Sequence, residues 1–293
     1  MDFDLAIQED ASLNYAKLSY EIGNSYQSTP AVLMAFIKKY PNNANTSEIE
    51  RLLIDSYISS RNYKEALVLL EKNKSPENKL AYQKVTFYRG LELYTDSNYK
   101  EAGAMFEKSL EQQKDAKFTA RATFWKGETE YVLNDFKNAL LSYQQFKGMA
   151  AAAAATPEIK NVNYNIAYSY FKQKEYDQAG NYFQNQIDNA KGDKVRLLDS
   201  YLRLADCRFV TSKYTSALEA YNKVIEMKGV DADYAYFQKA ICYGFVSKND
   251  KKIEELNAFL KLYPKSDYRD DAFFELGNTY VSENKKDLAI KTY

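Results

Sequence analysis

The apolar positions of this chain recur as a phrase. An aromatic residue is followed three places later by alanine, and four places after the alanine stands another aromatic or a leucine. Tyr63-Lys64-Glu65-Ala66 with Leu70, Tyr99-Lys100-Glu101-Ala102 with Phe106, and Phe136-Lys137-Asn138-Ala139 with Tyr143 are the first three instances. Tyr176-Asp177-Gln178-Ala179 with Phe183 and Tyr214-Thr215-Ser216-Ala217 with Tyr221 follow, and Lys286-Asp287-Leu288-Ala289 with Tyr293, where lysine replaces the opening aromatic, is the last. The marker alanines stand 36, 37, 40 and 38 residues apart up to Ala217, then 72 to Ala289, with Lys252 near the midpoint. A fixed period of this size is the mark of a repeat architecture, one helix pair per unit of about 34 residues plus a variable loop.

Twelve residues before each marker lies a small residue in a preceding helix: Gly90, Gly127, Ala167, Ala205 and Gly277, with Ala240 before Lys252. A small side chain at a crossing point lets two helices approach closely. The pattern predicts helix pairs over 47–60 with 62–73, 79–95 with 98–113, 116–132 with 135–147, and 157–173 with 175–189. Further pairs are expected over 194–211 with 213–228 and over 231–247 with 249–263. Three places depart from the rule. Ile54 occupies a small-residue place, Lys252 an alanine place, and residues 11 to 40 leave too short a span for a regular unit. The six alanines Ala150 to Ala155 either lengthen the helix before them or bridge to Thr156-Pro157.

These phrases resemble the tetratricopeptide repeat family, whose pattern is W-x2-L-G-x2-Y, then A-x3-F, then P. In the last repeat Phe273, Leu276, Gly277, Tyr280, Ala289 and Tyr293 keep that order and spacing, with Phe273 in place of tryptophan. The endings Lys39-Tyr40-Pro41 and Leu262-Tyr263-Pro264 look like those of bacterial envelope members, so an envelope or periplasmic location is an expectation of the resemblance. The fold it implies is all-α, an α-solenoid of antiparallel helix pairs wound as a right-handed superhelix. One array is expected over 1–293, with an irregular helix pair in 1–44 and about seven repeats in 45–293. The second helix of the last repeat should run past Tyr293, so the chain reads as part of a longer array.

Composition narrows the chemistry. Five prolines and ten glycines are too few to punctuate a strand-rich fold. Lys plus Arg and Asp plus Glu each number 40, with cations and carboxylates interspersed, and this argues against a nucleic-acid partner. Histidine is absent, which removes Ser-His and Cys-His nucleophile pairs and His-containing zinc sites. Cys207 and Cys242 read as buried packing residues, and a disulfide would require their helices to be neighbours. The run of six alanines is the longest apolar stretch, far short of a membrane span. Met1-Asp2-Phe3-Asp4 lacks the basic start and apolar core of a secretory signal. No phosphate loop, metal cluster or nucleophile elbow is present in the sequence, so no cofactor and no catalytic residue are expected.

A repeat that cannot bury its own apolar face must stack on its neighbours, which leaves the surface as the working part. The resemblance implies that first helices line a groove for a peptide or protein. By spacing, that lining is Phe87, Leu91 and Tyr94, then Phe124, Glu128 and Tyr131, then Tyr164, Tyr168 and Phe171, then Leu202, Asp206 and Phe209. Aromatic rings suit this use because they supply contact area with few bonds to freeze. The basic clamps with which some members hold a carboxylate-ended chaperone tail are not evident at matching places. A protein-binding scaffold is the first expectation. A helical accessory domain of a larger, catalytic polypeptide is the second.

Overall fold

A computed structural model describes residues 4–73, 75–190 and 192–293. Among them the regular backbone is all helix. In chain order the helices are α1 (Leu5–Ile22), α2 (Thr29–Lys39), α3 (Thr46–Ser59), α4 (Tyr63–Lys72), α5 (Lys79–Thr95), α6 (Tyr99–Gln112), α7 (Ala116–Val132), α8 (Phe136–Gly148) and α9 (Ala150–Ala154). They continue as α10 (Val162–Lys172), α11 (Tyr176–Asn189), α12 (Lys194–Val210), α13 (Tyr214–Glu226), α14 (Ala232–Phe245), α15 (Asn249–Leu262), α16 (Arg269–Ser282) and α17 (Lys286–Thr292). Short 3-10 turns, Pro76–Asn78 and Pro157–Lys160, precede α5 and α10.

The chain divides into two compact units, Met1–Asn134 with Gly148–Thr156, and Asp135–Lys147 with Pro157–Tyr293. Within the first, each helix from α1 to α7 packs on the next, and α9 packs on α7. Within the second, each helix from α10 to α17 packs on the next. Contacts thus join helices that are close in sequence, the arrangement expected of stacked pairs that share a core. The two helices of the third predicted pair, 116–132 and 135–147, fall in different units.

The turns that reverse the chain inside each pair have one backbone solution. Arg61, Ser97, Asn134, Lys174, Ser212, Ser247 and Asn284 all hold φ between 58° and 64°. In each of these turns the left-handed residue donates its N–H three residues back, as Ser97 does to Tyr94 (3.0 Å) and Lys174 to Phe171 (3.0 Å). After Arg61, Ser97, Lys174, Ser212, Ser247 and Asn284 the next amide reaches five residues back, as Asn98 does to Leu93 (2.8 Å) and Glu175 to Tyr170 (3.0 Å). These two bonds close the orphan carbonyls of a helix end.

Packing between the helices of a pair explains the sequence phrase. All six marker alanines are buried. A methyl group at Gly90 would meet the Phe106 ring at 2.6 Å, and one at Gly277 the Tyr293 ring at 2.6 Å. The small residue is therefore the seat for the aromatic that ends the phrase. Ile54 fits its place because its counterpart is Leu70 rather than a ring, and both lie in one core cluster. Lys252 lays its stem against Gly244, where an added methyl would lie 3.0 Å from Cδ, and carries its ammonium out to Glu275 at 2.6 Å.

Two helix starts differ from expectation. The fourth pair's first helix begins at Val162, because Pro157 opens a 3-10 turn and the α-helix starts only after Asn161. The alanine run forms the separate short helix α9, set off from α8 by a positive φ of 32° at Ala150 and anchored by buried Ala153.

Candidate functional site

The first helices α5 and α7 carry the predicted rings of the first unit. Phe87 has no exposed surface, and its ring is enclosed by Tyr88, Phe106 and Phe118 at centroid distances of 5.3, 6.0 and 5.4 Å. The Arg121 guanidinium lies 4.6 Å over it. Phe124 is 4% exposed. Both are core residues and offer a partner nothing, a correction to the expected lining. The register of Phe87 points it at Phe106 on the second helix of its own pair, where apolar burial of a whole ring is worth about 2–3 kcal/mol. Leu202 and Asp206 are also buried, which removes both from the expected lining.

Tyr94 and Tyr131 remain half-buried. The Tyr94 ring stands edge-on to Tyr99 and to Trp125, each at 5.2 Å. Burial, with the Glu128 charge nearby, pushes its hydroxyl up to about 12. Trp125, the only tryptophan of the chain, is the ring that spacing missed. It stands two places before the small residue Gly127, a position the repeat pattern does not mark.

In the second unit Tyr164, Tyr168, Phe171 and Phe209 are all half-buried on α10 and α12. The hydroxyls of Tyr164 and Tyr168 both donate to Asp199 Oδ2, at 2.9 and 2.6 Å. Their rings meet edge-on at 4.9 Å and pack against buried Phe183. Asp199 in turn faces Arg203, whose guanidinium spans to Asp206 at 2.8 Å. Asp206 Oδ1 also accepts the hydroxyls of Tyr221 (2.9 Å) and Tyr234 (3.0 Å). Seven polar side chains from α10, α12, α13 and α14 thus form one satisfied network, which fixes the rings of Tyr164 and Tyr168 in place.

Phe171 and Phe209 have no such tether. Phe171 stands edge-on to Tyr176 at 5.4 Å. Phe209 stands edge-on to Tyr214 and Phe245, both at 5.5 Å, and Tyr214 stacks on Phe245 at 4.6 Å. Phe245 is 56% exposed and was not among the expected residues. In its repeat the place four beyond the small residue is Gly244, so the ring is displaced by one position.

Burial shifts several of these groups towards their neutral forms. Burial raises the hydroxyls of Tyr168, Tyr221 and Tyr234 and lifts Tyr164 to about 12. Burial also raises the carboxyl of Asp206. Cys207 and Cys242 are free, buried thiols pushed up to about 12, again by burial. Among the described residues no group of three or more Cys, Asp or Glu side chains could hold a metal ion. No described helix is long and apolar enough to cross a membrane. What this arrangement presents is aromatic area held rigid by hydrogen bonds.

Family profiles described as tetratricopeptide repeat match residues 89–151 and 158–228. No curated protein matches the chain. Among solved structures, YrrB, titled a TPR protein with an unusual peptide-binding site, aligns with a TM-score of 0.53 at 18% identity, over 69% of this chain and 93% of its own. The C-terminal part of a TPR repeat-containing protein from Cytophaga hutchinsonii aligns with a TM-score of 0.55 at 17% identity, over 82% of this chain and 92% of its own. A structure of Naa15/Naa10 bound to HypK-THB gives a TM-score of 0.54 at 13% identity, over 94% of this chain and 39% of the other. With helix pairs, marker alanines and small-residue seats in place, residues 89–151 and 158–228 belong to the tetratricopeptide repeat family, and the pairs around them share its all-α fold.

Proposed function

We propose that this chain is an interaction scaffold that holds a peptide or protein segment against the half-buried rings of its first helices. Tetratricopeptide-repeat proteins bind protein or peptide partners, and a neighbour in fold is titled for its peptide-binding site. The observation that carries the reading is the pair Phe171 and Phe209. They stand at the same register on successive first helices, half-buried and without polar tethers. Rings in this state concentrate binding energy, since they are already ordered and need only be desolvated. Tyr94, Tyr131, Tyr164 and Tyr168 extend the same kind of surface within their own units. Balanced charge supports a protein ligand over a nucleic acid. The chain acts without a catalytic step of its own in this reading, and an envelope location, suggested by the two Tyr-Pro endings, is part of the proposal.

The test is selection of peptides from a random display library on the folded chain, repeated with Phe171→Ser/Phe209→Ser. Selected peptides should lose at least about tenfold in affinity, or 1.4 kcal/mol, while the helical circular dichroism signal is kept. Undiminished binding by the double variant would refute the proposal. Cell fractionation with an antibody to the native protein tests the location, and a purely cytosolic signal would remove it.

A further inference from the structure

Helix α1 has two apolar faces. One holds buried Ala16, which shares a core cluster with Val32, Leu33 and Phe36 of α2. The other is a stripe of Ile7, Ala11, Tyr15, Leu18 and Ile22, spaced as one side of a helix is spaced. Every member of the stripe is exposed, Leu18 to 51% and Ile22 to 80%. A continuous apolar stripe on a surface helix marks a contact.

The later first helices show what such a stripe receives. Counted from the small residue that seats the ring, the places five before, one before and two after are Ser200, Leu204 and Cys207 on α12. On α16 they are Ala272, Leu276 and Thr279, and all six residues are buried. The preceding second helix covers these places. A methyl group at Gly180 of α11 would meet Cys207 Cβ at 3.4 Å and Leu204 Cδ1 at 3.7 Å, and one at Gly103 of α6 would lie 3.3 Å from Thr129 Cγ2 of α7. Counted in the same way from buried Ala16, the places on α1 are Ala11, Tyr15 and Leu18. The exposed stripe is therefore the surface on which a second helix packs, with a small residue of that helix at the closest approach.

Charge narrows the choice of helix. Asp10, Asn14 and Glu21 run along one flank of the stripe, all exposed, and the Asn14 amide donates to Asp10 at 3.2 Å. The one lysine of α1, Lys17, is held by Glu48 at 2.9 Å. An antiparallel pair of α1 helices from two copies would set this acidic flank against itself, which costs affinity. A helix with cations along the facing flank gains affinity instead.

We propose that α1 docks an amphipathic helix of a partner protein, one with a small residue opposite Tyr15 and Leu18 and a row of lysines or arginines beside its apolar stripe. This goes beyond the scaffold reading and uses none of its rings. The test uses two synthetic helical peptides of 18 residues, the length of α1, with the same leucine and alanine stripe and with flanks of lysine in one and glutamate in the other. Fluorescence anisotropy of each labelled peptide is followed against the full chain at physiological salt. The lysine peptide should bind saturably, at least about tenfold more tightly than the glutamate peptide. Leu18→Glu, a substitution at an exposed position, adds negative charge, so unspecific attraction of a cationic peptide would survive or strengthen. Docking on the stripe should instead weaken at least about tenfold, with the helical signal kept. Asp10→Lys/Glu21→Lys should reverse the order of the two peptides. Absence of saturable binding, or binding of the lysine peptide undiminished by Leu18→Glu, would overturn the proposal. So would sedimentation of the chain alone as a dimer that Leu18→Glu dissociates, since the stripe would then belong to a second copy. Phe171→Ser/Phe209→Ser should leave peptide binding unaltered, which separates this inference from the scaffold reading.

Discussion

Gly90 and Gly277 occupy the same place in their repeats, and a methyl group at either would lie 2.6 Å from an aromatic ring. The consequences differ because the rings differ. Phe106 is fully buried and cannot yield, whereas Tyr293 is 65% exposed and can swing outward. Alanine gains about 1 kcal/mol over glycine in helix propensity, while overpacking a closed core costs about 1–3 kcal/mol. Gly90→Ala should therefore lower stability, by about 1 kcal/mol on these magnitudes, and Gly277→Ala should be neutral or slightly stabilising. Urea midpoints at constant m decide this. Equal losses in the two variants would mean that ring mobility is not what separates them. The seats for the rings were legible in sequence because their spacing is regular. Burial of Phe87 and Phe124 was not, since spacing assigns a residue to a side of the helix without showing which other rings crowd it. Arg121 over Phe87, and Phe118 beside it, come from the next first helix.

Among elements, the left-handed residue that ends each first helix is the shared device, and none of the seven in these turns is glycine. A side chain there costs about 1–2 kcal/mol in backbone strain, less the 0.4–1 kcal/mol by which glycine favours the unfolded chain. Lys174→Gly should stabilise by about 0.5–1 kcal/mol on that difference. Asn284→Gly should give less, because asparagine tolerates this conformation. Thermal melts of the two variants check the ordering. A Lys174→Gly variant that melts below the parent would show that the lysine side chain contributes more than its backbone strain costs. Helix existence was legible from the alanine phrase, and α5 and α7 begin and end where expected. The late start of α10 was not, because it follows from a 3-10 turn opened by Pro157 rather than from the apolar pattern. The Asp199–Arg203–Asp206 network was equally hidden. Its carboxylates look like solvated charges until neighbouring helices bring tyrosine hydroxyls to them.

For the whole molecule, 27 tyrosines provide an internal probe. Burial raises Tyr94 and Tyr164 to about 12 and raises several others further. A tyrosine whose folded value lies above its unfolded value of about 10 contributes stability fully present below pH 10, lost as pH climbs through the folded value. Absorbance at 295 nm should thus rise in two steps. Exposed tyrosines ionise first, and the buried set follows above pH 11 together with loss of helix. A single step centred near pH 10, with the helical signal intact, would contradict the burial described.

Helix pairs that share a core only with near neighbours should also open locally. Phe183 is fully buried in α11 against Tyr164, Tyr168 and Phe171. Amide hydrogen exchange of Phe183→Leu, compared with the parent chain, measures how far the damage spreads. Serial stacking predicts faster exchange across α10 to α13 and unchanged protection in α1 to α4. Acceleration by the same factor in every helix, α1 to α4 included, would show a single cooperative core and contradict the account.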